Sequence, residues 1–159
     1  MTKADILHVL LYSLPEALAV VSLATILAGS RFIWKRLFII GSITGFLSHF
    51  WRLLLTDYIL NIACYAVILI SFMTFYKIGT DLFARTTSVM IALSIYLTIE
   101  FINLKIYDVV IGLDPATMLT KPFLRYICFG GQISLIFLIS YLLKYFKFSL
   151  FNRGCHEEV

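Results

Sequence analysis

Glu16, Arg52, Glu100 and Arg125 sit within, or at the edge of, stretches otherwise apolar enough to cross a bilayer. Two are acids and two are bases. On insertion scales, a charge near mid-membrane costs roughly 2.5–3.5 kcal/mol. A chain keeps such groups by pairing them or by facing them onto a polar cavity. Three chemistries are therefore open: an ion pair that fixes helix packing, a site for a polar or charged ligand, and, for Glu16, carriage of a proton. His49 and Arg52 are three residues apart and share a helix face, as do Glu100 and Asn103. Arg125 and Gln132, seven apart, share one too. His49 on its own is more often a hydrogen-bonded packing residue than a ligand.

The elements that must position these groups are five apolar stretches, at about 6–28, 37–55, 58–76, 82–104 and 123–146. About 20 helical residues span a hydrocarbon core of ~30 Å, and helices satisfy their own backbone groups within lipid. The composition agrees. The chain of 159 residues is 61% hydrophobic and only 14% charged, with a mean hydropathy of +0.95. Soluble domains carry about 25% charged residues. This is the composition of an integral membrane protein with one membrane domain, 1–151, and a short polar tail, 152–159.

Basic residues set the expected orientation. Arg31, Lys35, Arg36, Lys77, Arg85, Lys144, Lys147 and Arg153 fall on one side of the stretches. Lys3, Lys105 and Lys121 fall on the other, with Arg52 and Arg125 at helix ends. The positive-inside rule then puts the N-terminus outside and the C-terminus inside. The net charge of +4 is explained by this topology, not by nucleic-acid binding. The first stretch lacks a small-residue cleavage site and is followed by a basic cluster, unlike a cleaved signal peptide. Pro15 lies inside it and is expected to kink the helix. The segment 105–121 alternates Ile106, Val109, Val110 and Leu113 with Asp108 and Asp114. That pattern suits a short amphipathic helix on the outer surface, with Asp114 capping a turn that begins at Pro115.

With this topology the polar residues gather in the outward half. A pocket bounded by Glu16, His49, Arg52, Glu100 and Arg125 follows, with Asn61 one turn into the third stretch. Two plainer arrangements compete: Arg52, Glu100 and Arg125 snorkel to the headgroups, or Glu16 and Arg52 form a purely structural pair. Gly41 and Gly45 make a small-xxx-small motif for helix packing, within one protomer or between two.

Several chemistries have no support. There is no HExxH zinc-protease pattern, no nucleophile with a local base, no pair of haem ligands and no phosphate-binding glycine loop. Cys64, Cys128 and Cys155 lack metal-ligand spacing. The run Cys155-His156-Glu157-Glu158 has ligand-type residues of a kind that short tails acquire by chance. No metal and no cofactor are expected.

The order of features resembles the N-terminal multi-helix sensor module of GHKL-type histidine kinases from spore-forming Gram-positive bacteria, and its kinase-less, stand-alone relatives. The likeness rests on Leu14-Pro15-Glu16-Ala17-Leu18, the Gly29 exit, Arg52, Glu100, Pro122-Phe123-Leu124-Arg125 and Phe148-Ser149-Leu150-Phe151-Asn152. It departs after Arg52, where Leu53-Leu54-Leu55-Thr56-Asp57 replaces a proline and a Gly-His type turn. In the kinases a catalytic region follows the Phe-Ser-Leu-Phe segment. Here eight residues follow Phe151, so autophosphorylation by the chain itself is not expected.

The expectation is an all-α bundle of five transmembrane helices, N-terminus outside, in the bacterial cytoplasmic membrane. Its expected function is that of a non-enzymatic sensor or accessory module, with a ligand pocket in the outer half and output through a cytoplasmic or membrane protein partner or a homo-oligomer. A small transporter or carrier subunit using Glu16, and an assembly scaffold without ligand, are the alternatives.

Overall fold

The computed structural model describes residues 9–55, 57–112 and 122–151, with backbone alone for 9–10, 110–111 and 122–125. All regular structure among them is helical. A π-helical turn, Val9–Ser13, runs into α1, Leu14–Leu27. Then follow α2, Trp34–Leu54; α3, Tyr58–Phe75; α4, Leu82–Ile111; and α5, Pro122–Tyr145. The last four contain spans long and apolar enough to cross a membrane; the first is apolar but shorter.

The kink expected at Pro15 takes the form of a change of helix type. Proline lacks an N–H, and Pro15 sits where the π turn passes directly into α1, so the change of helix type falls at the position without a donor. The chain before it widens into a π turn, a form that concentrates at functional sites. The amphipathic piece expected from 105 onward is also corrected. Residues 105–111 continue α4 without a break, until Gly112 closes the helix in the left-handed region at φ 65°. The Lys105–Asp108 pair, one turn apart at 3.4 Å, supports this extension. Asp114 and Pro115, and the tail from 152, lie outside the described residues.

α1 is the central helix. It packs against α2, α4 and α5, while α2–α3, α3–α4 and α4–α5 are also neighbours. Its sequence explains that position. Ala17, Ala19, Ser22, Ala24 and Thr25 are small and buried, and no face of α1 is polar enough to prefer solvent. Gly41 and Gly45 of α2 allow the closest approach. A Cβ at Gly45 would meet the Ser13 carbonyl oxygen at 2.7 Å, and one at Gly41 would meet Leu18 Cδ2 at 2.5 Å. The motif is thus spent on packing inside one protomer.

Below Glu16 the interior is filled by Leu23, Leu37, Ile40, Leu69, Met73 and Ile136, all essentially inaccessible. The outside is apolar as well: Phe46, Phe50, Ile59, Val67, Phe75 and Phe101 all project outward. A continuous apolar coat of this kind has no place in water.

The end of the bundle away from Glu16 is closed by backbone hydrogen bonds. α1, α3 and α5 each finish in the same motif, with left-handed residues Gly29 (φ 69°), Lys77 (φ 51°) and Lys147 (φ 52°). In each, two successive amide N–H groups donate back into the last turn, as Ile78 to the Met73 carbonyl at 2.8 Å and Phe148 to the Leu143 carbonyl at 2.9 Å. The loops then tie to one another. Leu150 N–H donates to the Leu27 carbonyl at 3.1 Å, and Gly79 N–H donates to Ser30 Oγ. Arg85 donates to the Ile78 carbonyl at 2.9 Å and the Gly79 carbonyl at 3.1 Å. Lys144 Nζ lies 4.4 Å from the centre of the Phe32 ring.

Candidate functional site

Element order brings the start of α1, the end of α2, the start of α3, the second half of α4 and the first half of α5 to one end. Between them is a cavity of about 390 Å³. Glu16 lies on its wall, 6% exposed. Arg52 reaches back from the last turn of α2 and donates through Nη2 to Glu16 Oε1 at 2.7 Å. The distance is that of a charge-assisted hydrogen bond. Its partners differ in solvation, with side chains 7% and 41% exposed for Glu16 and Arg52. Arg52 therefore turns inward instead of snorkelling away from the bundle.

Glu100 lines the same cavity and is half-buried. Tyr58, at the start of α3, donates its hydroxyl to Glu100 Oε2 at 3.4 Å. The first turn of α3 is set by Asp57, whose carboxylate caps the amides of Ile59 at 2.8 Å and Leu60 at 3.1 Å. Asn61, one turn on, donates through Nδ2 to the Leu55 carbonyl at 3.0 Å, joining α3 to the end of α2. A carbonyl can only accept, so this bond fixes the amide and leaves Oδ1 as its acceptor.

Asn103 donates to the Cys128 carbonyl at 2.8 Å and lies 3.2 Å from its sulfur, which locks α4 to α5. His49 is buried at 9% exposure and does not line the cavity; Ser48, Trp51 and Arg52 make the α2 wall. Arg125 belongs to the first turn of α5 by its backbone, and its side chain lies outside the described residues. Cys64 and Cys128 are free thiols, and Cys155 lies outside the described residues. Among the described residues, no group of His, Cys, Asp and Glu could hold a metal ion.

The aromatic part of the wall was not anticipated from sequence. Tyr12, Trp51, Tyr58, Tyr65, Tyr96 and Phe129 all line the cavity, and Tyr12 packs on Phe129 with ring centres 4.5 Å apart. A signal exists for three of them, Tyr12, Tyr65 and Tyr96. Tyr12–Glu16, Ser48–Arg52, Asn61–Tyr65, Tyr96–Glu100 and Cys128–Gln132 are each one helical turn apart, and every member lines the cavity. Stepping one turn along the same helix face from each polar residue finds its companion.

No protein family, curated protein or solved structure matches the chain. What the site does must therefore be argued from its own chemistry.

Proposed function

We propose that this chain is a non-enzymatic sensor or accessory module of the bacterial cytoplasmic membrane, inserted with its N-terminus outside. The observation that carries the reading is the cavity beside the Glu16–Arg52 pair, open at one end of a bundle whose other end is packed and tied. At about 390 Å³ the cavity lies within the ~300–1,000 Å³ of small-molecule sites. Its occupant is a small or peptide-like signal or a lipid headgroup. Its output passes through a cytoplasmic or membrane partner, or through a second copy of the chain.

Four spans and an apolar coat support membrane insertion. Arg31, Lys35, Arg36, Lys77, Arg85, Lys144 and Lys147 all belong to the tied end, which supports placing that end inside. The resemblance carried by Leu14-Pro15-Glu16-Ala17-Leu18, Arg52 and Phe148-Ser149-Leu150-Phe151 supports the bacterial sensor assignment. Binding is favoured over catalysis because Ser48 Oγ is committed to the Gly45 carbonyl at 3.2 Å and the Cys128 thiol contacts the Asn103 amide. A carrier needs a route to the inside, and Leu23, Leu37, Leu69 and Met73 fill that route.

Two measurements test the reading. In cysteine-depleted protein, Lys105→Cys should react with a membrane-impermeant maleimide on intact cells, and Lys147→Cys only after permeabilisation. The opposite pattern removes the orientation and places the cavity inside. Mild-detergent purification from native membranes with native mass spectrometry should retain a stoichiometric partner or a homo-oligomer. A bare protomer that moves a solute across vesicles would replace the sensor with a carrier.

A further inference from the structure

We propose that the cavity binds an organic ammonium ion, its charge held by the Glu100 carboxylate against the aromatic wall; this rests on the reading of the cavity as a ligand site. The charge balance comes first. Glu16 and Arg52 cancel in their 2.7 Å pair, so Glu100 leaves the described lining with one formal negative charge. Among the described residues, no cation is in ion-pair contact with Glu100; its one hydrogen bond comes from Tyr58 at 3.4 Å, long for a hydroxyl on a carboxylate. A half-buried carboxylate so weakly satisfied favours a cationic guest.

The wall chemistry points the same way. Aromatic faces attract cations, and they do so most strongly in sites shielded from water. Here Trp51, Tyr58, Tyr65 and Tyr96 surround the space that Glu100 borders. Unpartnered acceptors stand beside Glu100 in the lining. Asn61 Oδ1 is buried without a hydrogen-bond partner among the described residues, as is the Tyr65 hydroxyl on a side chain 7% exposed. The Gln132 amide nitrogen is likewise unpartnered and offers two N–H donors, from which the carbonyl or hydroxyl of a guest can accept. The strongest donor present, Arg52, is already turned onto Glu16. An anion would meet Glu100 and the Asn61 oxygen, whereas an ammonium N–H would satisfy both. The remaining wall, Val20, Ile62, Ile68, Leu93, Leu97 and Leu104, requires an apolar substituent on the nitrogen. An aryl- or alkylamine meets these demands, and so does the head of an aminophospholipid.

The test uses the full chain in phosphatidylglycerol nanodiscs, which contain no ammonium group. Binding of 2-phenylethylammonium, 2-phenylethanol and 3-phenylpropionate is followed by calorimetry and, in Trp34→Phe protein, by the fluorescence of Trp51. The ammonium is expected to bind saturably and roughly tenfold or more tighter than either isostere. Glu100→Gln is expected to remove that preference with an unchanged melting temperature, while Tyr58→Phe retains it. Equal binding of the neutral probe, or an unchanged preference in Glu100→Gln, overturns the ammonium assignment and leaves the cavity as a ligand site. Absence of binding by all three probes overturns both. If Arg125→Gln is required before the ammonium binds, Glu100 is already neutralised within the chain and the assignment fails. Displacement of the bound amine on adding phosphatidylethanolamine assigns the ammonium to a lipid headgroup; persistence assigns it to a free amine.

Discussion

At the end formed by residues 28–33, 76–81 and 146–151, helix termini close on themselves and the loops then bond to each other. At the Glu16 end the helices spread around a cavity, and polar atoms of Asn61, Tyr65 and Gln132 are buried without partners among the described residues. Both ends are built by the same five helices and carry polar side chains. What differs is how the chain is joined: loops bond to loops at one end and helices border a cavity at the other, while buried hydroxyls without partners, such as those of Ser88 and Ser140, occur toward the tied end too. Unsatisfied buried groups are rare in native proteins, and those that line a cavity are within reach of a guest. In the reading proposed above, the tied end is the base plate and the open end the part whose energy a guest would change.

The contrast breaks most severely if α1 is pushed off α2. Gly45→Leu places a side chain against the Ser13 carbonyl and the Leu14 backbone, and should destabilise the bundle by roughly 3 kcal/mol or more. Melting in detergent should report it, and Gly130→Ala, with nothing within 4 Å, is the matched control expected to be neutral.

Next in size is the ion pair. Arg52→Gln leaves a nearly inaccessible carboxylate alone and should cost roughly 2–3 kcal/mol. Because the penalty lies in that unpaired charge, Glu16→Gln/Arg52→Gln should be less harmful than Arg52→Gln alone. Additive single and double mutants would show that the pair contributes no coupling.

At the tied end, Gly29→Ala should cost about 1–2 kcal/mol from its left-handed backbone alone. It also drives a Cβ into the Phe151 carbonyl oxygen, so residues 149–151 should detach, read as faster labelling of Ser149→Cys. Cavity binding should be unchanged, which sharpens the division between the ends. Smaller still is Asp57→Ala, which removes the α3 cap and should cost about 1 kcal/mol. The smallest effect has the opposite sign: Lys77→Gly relieves a left-handed lysine and should stabilise by about 1 kcal/mol or less.

The ion pair and four of the five expected spans were legible because charge in an apolar stretch and the length of that stretch are local facts of the chain, whereas the first helix is apolar but shorter than a span. Glu16 and Arg52 were singled out from their surroundings alone, and the structure joins them. The place of His49 was not legible, since residues that share a face with Arg52 still differ in which neighbour they meet. The central position of α1 was hidden too. Every stretch is apolar all round in a chain of this class, so periodicity does not separate a buried helix from a lipid-facing one. Its small residues, Ala17, Ala19, Ala24 and the partner glycines on α2, were the available hint. The continuation of α4 past residue 104 was missed because the aspartates there were read as surface alternation, although Lys105 and Asp108 are spaced to pair on a helix.

α1 carries the carboxylate of the cavity near one terminus and, through the Leu27 carbonyl, grips the chain at Leu150 with the other. Its 14 residues make a rod about 20 Å long, sheathed on its flanks by side chains packed too densely to compress. In the sensor proposed above, a guest that draws Glu16 along the axis would move Leu27 by a similar distance. α1 would then serve as a push-rod, with the strap at Leu150 as the pointer that registers its travel.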